Sequence, residues 1–296
     1  MKHINIAGVR RGSIYSPNHI GNDAAVFNAT VRELRALGCT VTEYTESEFK
    51  EKEITEEAVF TMARDFETIA KLQKLEDAGR PVINSGYGIL NCMRERMTTL
   101  LVKNHIPHPE SIIVDTDKDA TSRLKTLQTN HFWLKRGDCH AIHREDVCYA
   151  GSIDVALNLI NEFHLRGISR AVINEHLKGD LLKFYGVYGT EFFYWFYPGD
   201  ENHSKFGHEQ INGFARGFSF STDYLKEICE KSAQTLHVKI YGGDCIVDEK
   251  GNIRIIDFND WPSFAPCRDE AAPYIARCIY NEIINQSDPK PNVVLK

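Results

Sequence analysis

Three polar side chains near the C-terminus, Asp244, Asp257 and Asn259, have the chemistry of a divalent-cation site. The turn-forming residues between them separate two runs that are rich in β-branched and apolar residues, which predicts a β-hairpin. A turn centred on Lys250–Gly251 pairs Asp244 with Asp257 across the ladder. The two-residue period of a strand then places Asn259 on the same face as Asp257.

Two directly opposed carboxylates repel one another, and a bound cation removes that repulsion. Carboxylate and amide oxygens are hard ligands, and so few of them suit Mg²⁺, which keeps several waters and accepts phosphate oxygens. The opposite face of the hairpin is apolar and available for burial; it carries Cys245, Val247, Ile256 and Phe258. The alternative interpretation is a solvent-facing strand with acidic residues near a turn.

Strand and helix patterns alternate along the chain. Besides the hairpin, strands are predicted at 3–8, 40–44, 81–84, 112–115, 131–135, 171–177, 181–187 and 191–197. Helices are predicted at 23–37, 56–78, 88–104, 118–127, 152–166, 222–236 and 270–284. The opening strand–helix–strand order predicts a parallel α/β domain. The segment Ile106–Pro109 interrupts the pattern and marks a domain boundary.

Ligands of parallel α/β domains gather at the carboxyl ends of the strands, so the loop at 9–23 is a candidate substrate loop. Arg10, Arg11 and His19 could hold an anionic group there, and the alternative is that they are solvated loop charges. Further along the chain, Lys135 ends an apolar strand and enters a loop, where an ammonium group is placed to meet a phosphate.

The composition narrows the class of protein. The chain has 296 residues, 42% of them hydrophobic and 26% charged, as in ordinary soluble globular proteins. A net charge of -6 argues against general nucleic-acid binding, and no segment resembles a signal peptide or a membrane span. The eight cysteines include no CxxC pair and fit reduced thiols. We therefore expect a cytoplasmic protein that contacts neither nucleic acid nor membrane.

The order of these markers along the chain resembles the ATP-grasp superfamily. In sequence they are Lys135, Glu175–Leu177, Lys183, Asp244, and Asp257–Asn259 followed by Pro262. The most specific part is GGDCIVDEKGNIRIIDFNDWP, which is similar to the two metal-binding motifs that end those enzymes. The resemblance covers most of the chain and implies an α/β protein with the ATP-grasp fold. It implies an N-terminal parallel α/β domain at 1–105 and two α+β domains, at 106–178 and 179–296, that enclose ATP.

The resemblance also implies roles for individual residues. Those that would hold the ATP phosphates are Arg94, Lys135 and Lys183, of which Lys183 would reach the γ-phosphate as a catalytic residue. Those that would contact adenine and ribose are Glu175, His176, Leu177 and Asp180. Those that would bind one or two Mg²⁺ ions, with Mn²⁺ as an alternative, are Asp244, Asp257 and Asn259.

Most members of this superfamily activate a carboxylate as an acyl phosphate, which an amine or thiol then attacks. The leading hypothesis is therefore a carboxylate–amine ligase for a small-molecule or peptide substrate, similar to glutathione synthetases and ribosomal-protein glutamate ligases. A kinase resembling the inositol polyphosphate 5/6-kinases is the alternative, and a nucleotide-binding regulator without turnover is the second. Dimers are common among ATP-grasp ligases, so a homodimer is an open expectation.

One position departs from the pattern of the D-alanine ligases. Those enzymes place an arginine two residues before the first metal-binding aspartate, where it steadies the oxyanion of acyl transfer, and this chain has Gly242 there. The departure weakens a D-alanine ligase assignment. Arg216, in the adjoining loop, is the candidate replacement as a catalytic residue.

Overall fold

The computed structural model describes residues 4–16, 20–138, 143–198, 211 and 213–287. Within these ranges the chain forms three four-stranded sheets, one parallel and two antiparallel. Each sheet draws its strands from one continuous part of the sequence. The architecture confirms the predicted α/β class, with a parallel N-terminal unit followed by two antiparallel α+β units.

The N-terminal sheet is parallel. Its strands are β1 (Asn5–Val9), β2 (Thr40–Tyr44), β3 (Ala58–Thr61) and β4 (Val82–Ile83), in the order β2-β1-β3-β4. Its helices are α1 (Ile20–Ala36), α2 (Glu46–Glu51), α3 (Phe66–Asp77), α4 (Gly86–Asn91) and α5 (Arg94–Lys103). The prediction of one helix at 56–78 is wrong, because its first part is β3, which is fully buried between β1 and β4. The short apolar run at 58–61 is compatible with both the helical and the strand period, and it forms a strand here because the sheet buries it on both sides.

The central sheet is antiparallel. Its strands are β5 (Ser111–Asp115), β6 (Phe132–Arg136), β7 (Val147–Ala150) and β8 (Arg170–Glu175), in the order β5-β8-β6-β7. The helices α6 (Thr121–Leu124) and α7 (Ile153–Leu165) cover one face, where Phe132 and Leu134 of β6 are fully buried. The alternation along β6 leaves Trp133 and Lys135 on the other face.

The C-terminal sheet is also antiparallel and contains the predicted hairpin. Its strands are β9 (Asp180–Val187), β10 (Phe193–Phe196), β11 (Ile240–Val247) and β12 (Ile253–Asp260), in the order β10-β9-β11-β12. Helix α8 (Thr222–Leu236) begins at Ser221, whose side chain accepts a hydrogen bond from the Tyr224 amide, and it covers the face that carries Tyr241, Cys245 and Phe258.

The N-terminal and C-terminal sheets share one hydrophobic core. Helix α9 (Arg268–Ser287) packs against α1, and the fully buried Trp261 stacks on Phe60 of β3 at 5.8 Å between ring centroids. The side chain of Asn84 is also buried at this boundary and bonds the backbone of residues 239 and 240. No helix of the described ranges combines the length and apolarity that crossing a bilayer requires.

Candidate active site

The predicted pairing of the two aspartates is confirmed. Asp244 of β11 lies directly opposite Asp257 of β12, and on its other side Asp244 lies opposite Lys183 of β9. The next row of the same face runs through Asn259, Gly242 and Tyr185 on the same three strands. The C-terminal sheet therefore presents two carboxylates, one amide and one ammonium group within two adjacent rows of a single face.

A β-bulge interrupts the ladder one residue beyond the aspartates. Asp244 pairs with Asp257, but Cys245 pairs with Ile255, so Ile256 is the extra residue. The prediction that Ile256 lies on the buried face is therefore wrong, and Ile255 is fully buried in its place. The carbonyl oxygen of Ile256 accepts a hydrogen bond of 2.7 Å from Lys135 Nζ, so the bulge brings the central sheet to the aspartates.

Lys135 and Arg94 meet Asp257 from two other elements. Lys135 is buried, and burial together with the positive charge of Arg94 lowers its pKa to about 8. Arg94, the first residue of α5, donates to both carboxylate oxygens of Asp257 at 3.4 and 3.2 Å. Burial alone would raise the pKa of Asp257, but Arg94 and Lys135 lower it below its usual value. The carboxylate is therefore ionised and available as a ligand.

Lys183 completes the charged group. Its Nζ lies 3.1 Å from Oδ1 of Asp244, and the side chain is mostly buried. Together with Arg94 and Lys135 it gives three cations against two carboxylates, a formal charge of +1 for the group. A site of this composition is near neutral by itself and becomes strongly favourable for a polyanion once divalent cations join it.

The residues fit a hard divalent cation. Three oxygen-bearing side chains share one face of two neighbouring strands, and the amide of Asn259 hydrogen-bonds Asp257. Two carboxylates and an amide leave room for water and phosphate ligands, as Mg²⁺ prefers. Among the described residues no cluster of three or more histidine, cysteine or acidic side chains forms, so this donor set does not resemble a zinc site.

Glu175 lies where the central sheet joins the C-terminal sheet. Its Oε1 accepts from the Glu110 amide at 3.0 Å and from Arg254 at 2.7 Å, and its own amide donates to the Glu110 carbonyl. The two chain segments that connect the sheets therefore run side by side and are bonded to each other. The predicted adenine contact of Glu175 stays a prediction.

His176 and Leu177 follow directly and are half-buried. Trp133 Nε1 donates to His176 Nδ1 at 3.1 Å, and the ring of Tyr149 lies 5.4 Å from that of His176. Burial lowers the pKa of His176, so the imidazole is neutral near pH 7. Flat, neutral rings on the face that also carries Lys135 form a suitable surface for a nucleobase.

Asp180 and Arg216 have other partners than their predicted ones. Asp180 is buried, and its two carboxylate oxygens accept from the backbone amides of Arg216 and Phe218 at 2.7 and 2.9 Å. The alternation of β9 places Asp180 with Leu182 on the face that α8 covers, opposite to Lys183. The ribose contact of Asp180 and the catalytic role of Arg216 stay predictions, which this placement does not favour.

The structure leaves no space for a side chain at position 242 unless its neighbours move. A Cβ atom there would lie 2.6 Å from the ring of Tyr185, 2.7 Å from Pro262 and 2.8 Å from the Phe184 carbonyl oxygen. Tyr185 therefore occupies the space beside Asn259 that an arginine at position 242 would need. Its ring packs against those of Phe196 and Phe264, so this side of the site is aromatic.

The predicted substrate residues divide into three cases. Arg10 donates to Asn28 and Glu43 and lies over the ring of Phe27. Arg11 is buried and bonds Asp23, the Met62 carbonyl and the Trp261 carbonyl. His19 lies outside the described residues. An anion-binding role for all three stays a prediction, although both arginines already have carboxylate partners.

Sequence reasoning missed Trp133, His108 and Arg64. Trp133 stands two residues before Lys135, and strand alternation could have placed both on one face. His108 Nδ1 bonds the Ile255 carbonyl at 2.6 Å, and burial lowers its pKa to about 4. Arg64 bonds Asp260, which lies 196 residues away in the sequence, and no local pattern could have indicated that contact.

Comparisons with known proteins concern the fold. No protein-family model and no curated protein matches the chain. The D-alanine–D-alanine ligase from Coxiella burnetii is similar in structure over 96% of each chain, with a TM-score of 0.68 and 12% identity. The ATP complex of the D-alanine–D-alanine ligase from Bacillus anthracis matches over 96% of this chain and 97% of that chain, with a TM-score of 0.65 and 14% identity.

A third similar structure is the RimK-domain ATP-grasp protein from Sphaerobacter thermophilus. It matches over 93% of this chain and 99% of that chain, with a TM-score of 0.66 and 12% identity. All three align over nearly their full length, including the N-terminal parallel unit. The chain therefore has the fold of the ATP-grasp superfamily.

Proposed function

We propose that this protein is an ATP- and Mg²⁺-dependent ligase that joins a carboxylate to an amine through an acyl-phosphate intermediate. The observation that carries the proposal is the group around Asp244 and Asp257, in which three separate elements bring Arg94, Lys135 and Lys183 to two opposed carboxylates. Phosphoryl transfer depends mainly on positioning and charge neutralisation, and this group supplies both.

We assign the following roles to the residues of the site. Asp244, Asp257 and Asn259 would hold Mg²⁺, which when bound neutralises phosphate charge and orients the transferred group. Arg94 and Lys135 would hold the inner phosphates from the side of α5 and the central sheet. Lys183 would stay beside Asp244 and donate to the transferred phosphoryl group. The flat rings of Trp133, Tyr149 and His176 would provide the surface for adenine.

The acceptor would lie beyond the row of Asn259, on the side of the N-terminal sheet. Tyr185 covers Gly242 there and is partly exposed, and its ring packs on the buried rings of Phe196 and Phe264. This favours an acceptor carboxylate attached to an apolar or aromatic group, such as an amino acid or a peptide end. It disfavours a close copy of D-alanine ligase chemistry, because the oxyanion-stabilising arginine has no room.

The same part of the structure argues against a polyphosphorylated acceptor. A pocket for several phosphates needs several uncommitted cations. Among the described residues on this side, Arg11 is bonded to Asp23 and two carbonyls, and Arg64 to Asp260. Unlike the partners of Arg94 and Lys183, these carboxylates are not ones that Mg²⁺ would take over. The ligase is therefore better supported than a kinase of the inositol polyphosphate type. The presence of two carboxylates, an amide and three cations at one site also argues against a regulator without turnover.

The decisive experiment separates the two half-reactions. Purified protein is incubated with ATP, Mg²⁺ and pools of amino acids, peptides and polyols, with and without hydroxylamine, and products are followed by mass. A ligase releases ADP and phosphate with a condensation product, and hydroxylamine captures the acyl phosphate as a hydroxamate even when the amine is missing. Transfer of a phosphoryl group to a polyol without phosphate release would refute the ligase. The matched blank is Asp257→Ala.

A further inference from the structure

The turn that follows Asn259 is strained and is held from outside its own sheet. Trp261 has a φ of 35°, a conformation that is rare for a residue with a side chain, and the following Pro262 restricts it further. Such a conformation persists only when surrounding contacts enforce it. Within the sheet one ladder bond does so, from the Trp261 amide to the Ile240 carbonyl at 2.9 Å.

Two arginines of the N-terminal unit supply further contacts. Arg11 Nη2 donates to the Trp261 carbonyl at 2.8 Å, and Arg64 Nη2 donates to the Asp260 carbonyl at 3.0 Å. Arg64 Nη1 also lies 2.5 Å from the carboxylate of Asp260, which is fully buried. The two carbonyls that follow Asn259 are thus each bound by a buried guanidinium group.

The arginines are themselves fixed by carboxylates. Asp23 of α1 accepts two bonds from Arg11 at 3.2 and 3.3 Å, and both side chains are less than a tenth exposed. Glu46, at the start of α2, accepts from the amides of Gly12, Arg64 and Asp65, so it holds both arginine-bearing loops. Buried guanidinium groups with complete partners are rigid, because any movement would leave a charge unpaired.

We propose that Arg11 and Arg64 are positioning residues for Asn259, so that the N-terminal unit completes the metal site of the C-terminal sheet. Asn259 lies one residue before Asp260, and a displaced turn would rotate its amide away from the row of Asp257. This inference rests on the proposed function, because it treats Asn259 as a metal ligand. It adds that the metal site depends on docking of the N-terminal unit and not on the hairpin alone.

The test measures metal affinity and not turnover. Mn²⁺ binding is followed by electron paramagnetic resonance with a non-hydrolysable ATP analogue, for wild type, Arg11→Gln, Arg11→Lys and Arg64→Gln. Removing a group that orients a metal ligand typically lowers metal affinity by about 10- to 100-fold. We expect a loss of at least about tenfold for Arg11→Gln and a smaller loss for Arg11→Lys. Binding of the analogue without metal should be unchanged.

Arg80→Gln is the matched control, because Arg80 also donates to a backbone carbonyl, that of Ile54 at 2.6 Å, within the N-terminal unit. Unchanged Mn²⁺ affinity in a folded Arg11→Gln protein, or an equal loss in Arg80→Gln, would overturn the inference alone. A wild-type protein that binds neither the analogue nor Mn²⁺ would overturn the proposed function with it. If Arg64→Gln does not fold, the two Arg11 variants decide.

Discussion

Replacing Asp257 by asparagine should change the affinity for ATP in opposite directions with and without metal. In the structure Asp257 is the partner of Arg94, with contacts of 3.2 and 3.4 Å, and it contributes negative charge next to Lys135. Any polyphosphate that binds here without metal must compete with this carboxylate for both cations. With Mg²⁺ present, the same carboxylate is needed as a ligand.

The magnitude follows from the ion pair. Two unit charges about 4 Å apart interact by about 4 kcal/mol at an effective dielectric constant of about 20. The Asp257 side chain is 17% exposed, and asparagine keeps a hydrogen bond to Arg94, so we take about a third of this value, roughly 1.4 kcal/mol. That energy corresponds to about a tenfold gain in metal-free ATP affinity. Loss of a ligand should weaken the Mg²⁺-dependent affinity by at least about the same factor.

The assay is calorimetric titration of ATP into wild type and Asp257→Asn, once with a chelator and once with excess Mg²⁺. The ratio of the affinity for ATP with Mg²⁺ to the affinity without metal should be roughly 100-fold lower in the variant than in wild type, as the product of the two tenfold changes. A variant that loses affinity equally under both conditions, or gains in neither, would refute the assignment of Arg94 and Asp257 to one phosphate and metal site.

Three further predictions concern Asn259, Lys135 and Gly242. Asn259→Ala should abolish turnover and leave the unfolding midpoint within a few degrees of wild type; near-normal turnover would contradict its metal role. Metal-free ATP binding should weaken above about pH 8, because the phosphates favour the ammonium form of Lys135. The pKa of Lys135 with ATP bound then lies above its free value of about 8, so binding at higher pH must take up a proton. Titration of ATP from pH 6.5 to 9.5 should show this loss in wild type and a flat profile in Lys135→Arg. Gly242→Ala should reduce the free energy of unfolding by about 1–3 kcal/mol, since its Cβ overlaps Tyr185 and Pro262, and an unchanged denaturation midpoint would show that both neighbours move freely.

The pairing of Asp244 with Asp257 is the part of the candidate site that the sequence predicts best. Turn chemistry and the two-residue period are local properties, so the pairing of Asp244 with Asp257 follows from counting. The bulge between this pair and the turn cannot be predicted from the sequence. Ile255 and Ile256 are both apolar, so the ladder with the bulge and the ladder without it would each bury one of them. The contact of Lys135 with the Ile256 carbonyl depends on that bulge and could not be predicted either.

Long-range contacts of charged residues are the part that the sequence does not predict. The sequence predicts either an anion-binding role or a solvated loop charge for Arg11, and the structure shows that its loop follows the end of β1. Its partners, the carboxylate of Asp23 and the carbonyl of Trp261, depend on how α1 and the C-terminal turn pack together. Pattern and spacing therefore locate the strand ends, while packing decides which charges there are already satisfied.

The two adjacent chain segments at Glu110 and Glu175, which join the central sheet to the rest of the chain, have a mechanical consequence. The central sheet is joined to the rest of the described chain by the two adjacent segments at Glu110 and Glu175. Further contacts include those of Arg170 with Glu95, of the Glu95 amide with the Gly137 carbonyl, and of Lys135 with the Ile256 carbonyl. The other two sheets share a core and therefore form one block. In the proposed function a nucleotide would lie between the central and C-terminal sheets, and we expect the central unit to move as a flap that opens before the nucleotide leaves. We expect flap opening, on the timescale of microseconds to milliseconds, to limit how fast spent nucleotide departs.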